Sequence, residues 1–333
     1  MQIKSWLFIV LITASIFFSA NTHAQLSSIG GSDLRTNSGL VSECDFCLCS
    51  QGISPLEMGR TGVRYDIRYL VLDQLYQDGK RVDNSTRDAE THLTQQFTLL
   101  YRIADNFSAI AIVPFANRQE NLLEPDGKGV LANSAFSNSG FGDVSLLARY
   151  NLLNDHEFAD TRILSVTGGV KFATGNTTKL NAKGELADAH MQLGTGSTDV
   201  LLGVGGLLGF NDWSVALNLL ASLAGKGANG HQFGNNLNYD LGGRYMVYPN
   251  TMEYPTVFAA LAIRGEWRAQ EKQEGELDPN SGGNVMYLAP GLQVFLSNKL
   301  SLEASYNLPI LHALTGLQLG ETYKIMSGLQ YMF

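Results

Sequence analysis

What this 333-residue sequence has little of narrows its class first. Basic charge is scarce: Lys and Arg number 23 against 31 Asp and Glu, for a formal charge of −8 at pH 7. No basic stripe occurs, so a nucleic-acid binder, which must neutralise phosphates, is excluded. Charged residues are only 16% of the chain and hydrophobic ones 44%, with 8 Pro against 35 Gly; that excludes disordered, collagen-like and coiled-coil polymers. No run of 18 apolar residues follows the first two dozen positions, and the mean hydropathy is −0.03. A bundle of transmembrane helices is therefore excluded as well, and a large β protein remains.

The first two dozen residues set the compartment. Lys4 precedes the apolar run Trp6 to Phe18, and the small residues Thr22 and Ala24 lead to a cleavage point before Gln25. Residues 1–24 read as a secretory signal peptide, because the apolar core is too short to span a bilayer comfortably.

Beyond residue 60 the dominant pattern is alternation. Val63, Tyr65, Ile67, Tyr69 and Val71 are apolar, while Arg64, Asp66 and Arg68 between them are charged. One face of an extended strand is thus greasy and the other wet. The same period recurs at Val144–Leu152, Tyr239–Tyr245, Val257–Trp267 and Leu300–Leu308, and less regular apolar stretches complete a count of twelve strands.

Alternation alone also fits a soluble sandwich. The connections separate the two cases. The odd links, 78–88, 119–142, 175–199, 225–236, 270–284 and 312–322, run 11 to 25 residues; the even links, 104–106, 154–160, 211–212, 249–255 and 297–299, run only 2 to 7. Long loops at one end and tight turns at the other are the mark of an even-numbered outer-membrane barrel. The fold class expected is all-β: a transmembrane antiparallel β-barrel of about 12 strands over 61–333, with outer-membrane lipid around it.

The C-terminus adds a third signal. Phe333 ends the chain, with Tyr331, Leu329, Ile325 and Tyr323 on the same face and Gly328 five residues before the end. Gly328, Tyr331 and Phe333 resemble the signal by which barrel assembly machinery recognises its clients, although Met326 stands where a polar residue is usual.

Several short motifs carry a family resemblance. Gly142-Asp143-Val144-Ser145-Leu146 leads to Arg149-Tyr150, and Phe172-Ala173-Thr174-Gly175 and Leu193-Gly194-Thr195-Gly196-Ser197-Thr198-Asp199 follow. Asn236-Leu237-Asn238-Tyr239, Ser281-Gly282-Gly283, Ala289-Pro290-Gly291-Leu292, Leu308-Pro309-Ile310 and Gly316-Leu317-Gln318-Leu319 complete the set. Over residues 60–333 the chain resembles the outer-membrane channel family named for the meta-pathway of phenol degradation. The resemblance implies a porin-like transporter barrel and, from the family's name, aromatic solutes; it carries over no catalytic residue.

Read from the residues themselves, the motifs build loops and close turns. Gly194–Thr198 is not a phosphate loop, which needs Gly-Lys-Ser/Thr opening a helix, whereas Asp199 here opens a strand. No His-Glu-x-x-His or Gly-x-Ser-x-Gly occurs, and the six histidines are scattered. An outer-membrane hydrolase would need a convergence such as His92, Asp143 and Ser145, one of many such triples that a chain of this length allows.

The inward-facing set expected from the strand phase is Arg64, Asp66, Arg68, Arg102, Arg149, Lys171, Asp240, Arg244, Arg264, Glu266, Arg268 and Glu303. Basic residues exceed acidic ones in it, so passive passage of small anionic or neutral solutes is the function expected. The competing reading has these charges bracing a closed lumen as ion-pair ladders.

All three cysteines lie in Glu43-Cys44-Asp45-Phe46-Cys47-Leu48-Cys49. Three thiolates can hold Cu(I), whereas structural zinc wants four ligands; a Cys44–Cys47 disulfide, with Cys49 free or paired with another chain, is the alternative. Leu48 after Cys47 excludes haem attachment. Residues 25–60 read as a flexible leader or plug in the periplasm, where both termini of an even barrel lie. A non-conducting barrel whose leader binds copper or senses redox state is the second functional class.

Overall fold

The computed structural model describes residues 60–125, 131–157, 160–181, 183–210, 212–248 and 254–333. The signal peptide 1–24, the leader up to residue 59 and Cys44, Cys47 and Cys49 lie outside the described residues.

The strands are β1 (Thr61–Gln77), β2 (Lys80–Val82), β3 (Ala89–Ala104), β4 (Phe107–Pro125), β5 (Leu131–Phe141), β6 (Ser145–Glu157), β7 (Asp160–Lys171), β8 (Asp199–Phe210) and β9 (Trp213–Leu223). They continue as β10 (His231–Gln232), β11 (Asn236–Tyr248), β12 (Thr256–Arg268), β13 (Lys272–Gln273), β14 (Glu276–Leu277), β15 (Gly283–Phe295), β16 (Leu300–Leu314) and β17 (Leu317–Met332). Twelve of them form the wall, in the order β1-β3-β4-β6-β7-β8-β9-β11-β12-β15-β16-β17. β17 returns to pair with β1 from Gly62↔Met332 to Gln77↔Leu317 and closes the barrel. Closure leaves no edge strand whose backbone groups would go unpaired in lipid.

Polarity is distributed as a membrane demands. Asp66 and Arg68 are buried on the inner face of β1, while the outer face of β8 presents Val200, Leu202, Val204, Leu208 and Phe210, each 46–51% exposed. Such a row has no place in water but gains about 1.5–3 kcal/mol per large side chain when covered by hydrocarbon. At the end where the chain enters and leaves the wall, Tyr101, Tyr150, Phe210, Trp213, Tyr245 and Tyr331 are exposed. They form an aromatic girdle of the kind that seats a barrel at the membrane interface. No helix among the described residues is long and apolar enough to cross a membrane; the strands do the crossing.

Three connections differ from the sequence expectation, the first being the link 154–160, which narrows to the two residues between Glu157 and Asp160. The link 119–142 is mostly strand, because β4 runs on past its neighbour β6 and pairs with β5 from Phe115↔Phe141 to Pro125↔Leu131. The link 312–322 shrinks to Thr315 and Gly316, where the positive φ of Gly316 (+71°) makes the turn. The other long links remain long, and that of residues 172–198 carries a 3₁₀ turn at Ala189–Met191.

Candidate functional site

All twelve charged positions taken above as inward-facing lie on the inner face of the wall, and most are held in pairs. Arg64 Nε lies 2.8 Å from Asp66 Oδ1, and the same guanidinium reaches Glu303 two strands away. Arg264 Nε lies 2.7 Å from Asp240 Oδ2, while its Nη1 donates to Ser305 Oγ at 2.8 Å and Asn307 Oδ1 at 2.9 Å. Arg268 Nη2 meets Glu266 Oε1 at 2.7 Å. Arg244 donates to Ser214 Oγ at 2.6 Å and to Gln293. Arg68 Nη2 donates to Thr94 Oγ1 at 3.4 Å. Arg149 is buried and Arg102 half-buried on the same inner face.

The wall also carries buried carboxylates beyond the buried Asp66, Asp240 and Glu266 and the half-buried Glu303. Glu321 receives the Tyr287 hydroxyl and lies 3.6 Å from Lys324 Nζ, and Glu90 lies 3.0 Å from His92. Counting only the charges singled out from the sequence therefore overstates the basic excess. A cavity remains within the wall, bordered by Asp240, Arg244, Arg264, Gln293, Glu303 and Ser305.

At the long-loop end, three of the family-resembling motifs converge on Lys171. Its ammonium lies 2.7 Å from Asp199, 3.6 Å from Asp143 and 3.1 Å from Thr195 Oγ1. Asp143 accepts from the backbone N–H of Thr174, Gly175 and Thr195, and Asp199 accepts from Ser197 Oγ and the N–H of Gly225. Gly175 and Gly194 lie back to back, since a Cβ on Gly194 would come within 2.6 Å of Gly175 backbone. The glycines, threonines and aspartates of these motifs therefore tie loop 172–198 to the wall. They also remove the triple His92, Asp143 and Ser145, because His92 faces Glu90 and Asp143 is occupied by backbone donors.

The same loop turns inward. Arg118 of β4 donates to the carbonyl of His190, Asn138 of β5 donates to that of Met191 at 2.9 Å, and both His190 and Met191 are buried. From the other side, His190 Nε2 lies 3.0 Å from Glu271 Oε2, and His231 Nε2 lies 3.1 Å from the same oxygen. Burial would raise the Glu271 carboxyl, but His190, His231 and Arg268 around it outweigh that and hold it well below the usual carboxylate range. This convergence escaped the sequence reading, since one residue comes from each of three loops and no spacing joins them.

No family model and no curated protein matches the chain. Among solved structures it is similar to an outer membrane channel from Pseudomonas putida F1, at 16% identity over 83% of this chain and 96% of that one, with a TM-score of 0.62. It also matches the CymD monoaromatic hydrocarbon channel at 9% identity, over 84% and 90% of the two chains, with a TM-score of 0.38. The KdgM porin matches at 10% identity, over 81% and 99%, with a TM-score of 0.38. The first similarity and the apolar outer wall together define the class: a closed twelve-strand β-barrel of the outer-membrane type.

Proposed function

We propose that the barrel is a channel for passive passage of small solutes across the outer membrane. One observation carries the reading: a wall apolar outside and charged inside, enclosing a cavity bordered by Asp240, Arg244, Arg264 and Glu303. Such a lumen replaces the hydration of a polar solute and filters by size and sign. We place the chain in the family named for the meta-pathway of phenol degradation, on the strength of the motifs gathered around Lys171. Aromatic or anionic solutes are the cargo proposed, and no catalytic step is assigned. Residues 1–24 act as a signal peptide and 25–60 as a periplasmic leader carrying the thiols; barrel assembly machinery inserts the chain through its last strand.

A second reading has one observation in its favour. Loop 172–198 reaches from the wall to Arg118 and Glu271 and buries His190 in the mouth, which suits a barrel that conducts nothing. Planar-bilayer conductance of the purified full chain separates the two. The channel reading expects discrete openings, and Arg264→Ala should shift the reversal potential toward cations because it removes a lumen cation. An absence of openings, with and without residues 25–60, would leave the non-conducting barrel.

A further inference from the structure

We infer that His190, His231 and Glu271 form a binding site for a divalent transition-metal ion of the zinc type, linking three loops at the long-loop end of the barrel. The candidate ligand atoms, His190 Nε2, His231 Nε2 and Glu271 Oε2, lie within 4.8 Å of one another, and both imidazoles approach the same carboxylate oxygen, at 3.0 and 3.1 Å. Tetrahedral ligands about 2.0–2.1 Å from zinc stand roughly 3.3–3.4 Å apart. The two histidine–carboxylate contacts are close to that spacing, and the imidazoles, which lie within 4.8 Å of one another, would close around the ion by rotating their side chains. Two imidazoles with one carboxylate select a borderline transition metal over calcium or magnesium, which prefer all-oxygen sites.

The arrangement around His231 says what its ring offers. Gln273 Nε2 donates to the carbonyl of Asn229 at 3.4 Å, which turns the amide oxygen toward His231 Nδ1 at 3.2 Å. Nδ1 therefore donates to Gln273, which leaves Nε2 as the ring nitrogen aimed at Glu271. That Nε2 is buried without the alignment of a hydrogen bond, although it lies close to Oε2. An ion between Nε2 and Oε2 would engage both atoms. A ligand imidazole whose other N–H is donated to a carbonyl oxygen is the usual outer support of a metal site.

The rest of the surroundings hold the three groups in place. Phe233 packs edge-on against both rings, at 5.3 Å from His190 and 4.4 Å from His231. Glu271 is fixed by its own N–H, donated to Ser281 Oγ at 2.9 Å, and by its carbonyl, which accepts from Asp278 N–H at 2.9 Å. His190 is fixed by Asp188, whose Oδ1 accepts from its N–H at 2.8 Å. Arg268, the nearby cation, has its Nη2 on Glu266. His231 is only half-buried, which leaves an approach for the ion and a fourth position for water.

The test uses the full chain, folded in detergent, with Cys44→Ser, Cys47→Ser and Cys49→Ser so that the leader thiols bind nothing. Titration with Co(II) should give one ion per chain, with the intense visible bands of a tetrahedral site, no thiolate charge-transfer band, and displacement by Zn(II). His190→Ala, His231→Ala and Glu271→Gln should each weaken binding at least ten-fold, and Gln273→Leu should weaken it less. Heat-modifiable migration on gels identifies the variants that fold. Where one does not, protection of His190 and His231 from carbethoxylation by Zn(II), read by mass spectrometry on the otherwise unmodified chain, takes its place. No Co(II) on the cysteine-free chain, equal affinity in every folded variant, or histidines that Zn(II) leaves unprotected would each overturn the site.

Discussion

Gly328 on the last strand lies between Asp66 on the first and Glu303 on the strand before it, and Arg64 crosses over it to reach both carboxylates. A Cβ at Gly328 would come within 2.5 Å of Arg64 Nη2 and 2.6 Å of Asp66 Oδ1. The closing seam thus relies on a residue without a side chain, so that one guanidinium can bridge three strands.

Enlarging that glycine should open the bridge. Gly328→Val places a branched side chain where Arg64 now lies and should destabilise the folded barrel by about 1–3 kcal/mol, the usual cost of overpacking. Gly328→Ala should cost less, because the groups it meets are the ends of flexible side chains. Urea titration of the barrel in detergent micelles reads the difference; equal stability of Gly328→Val and wild type would mean that the seam does not depend on this bridge.

How much of this was legible in the sequence follows from where the two-residue period has physical meaning. Inside the membrane one face meets lipid and the other the lumen, so Val63 to Val71 alternate with Arg64, Asp66 and Arg68, and strand phase alone puts those charges inward. Above the membrane both faces of a strand can be polar. The segment Asn133-Ser134-Ala135-Phe136-Ser137-Asn138-Ser139 therefore carries no alternation, although β5 runs through it. The knot around Lys171 was visible as separate motifs, whereas its assembly depends on which loop ends the barrel brings together. His190, His231 and Glu271 meet only because their loops join β7 to β8, β9 to β11 and β12 to β15, strands consecutive in the wall, and nothing local marks them.

Lys171 should be the residue on which the loop knot depends. It is 3% exposed and holds Asp199 at 2.7 Å and Asp143 at 3.6 Å. Lys171→Met keeps most of the side-chain volume but leaves two buried carboxylates without their cation, a loss of about 3–5 kcal/mol when one partner of a buried pair is removed. Two measurements should move together: the urea midpoint should fall, and protease should cut loop 172–198 faster. Unchanged cutting would mean that the loop is held without Lys171, by Arg118, Asn138, Glu271 and the backbone bonds to Asp143.

Phe333 should matter to assembly. Phe333 N–H donates to the Thr61 carbonyl at 2.8 Å, and the Phe333 ring packs edge-on against Tyr331 at 4.9 Å. Deleting Phe333 removes the last rung of the closing seam together with the aromatic terminus proposed as the recognition signal. The heat-modifiable fraction recovered from cell envelopes should fall, and Tyr331→Ala should act in the same direction. Normal recovery of both would end the assembly-signal reading while leaving the barrel itself intact.

The sharpest prediction compares two leucines that are almost equally exposed. Leu261 lies near the middle of β12 on the outer face, 55% exposed, and Leu277 lies in β14, within the loop that follows β12, 57% exposed. If hydrocarbon covers the wall, Leu261→Arg must bring a guanidinium into the bilayer, at a cost of about 2–4 kcal/mol near the midplane. Leu277→Arg replaces one solvated surface residue with another and should stay within about 0.5 kcal/mol of wild type. Urea titration of the barrel folded into lipid vesicles measures both. The two side chains are equally uncovered by protein, so only the solvent that meets them distinguishes the sites. Equal shifts would therefore mean that Leu261 faces water, and the apolar outer wall would then need a protein partner to cover it in place of a membrane.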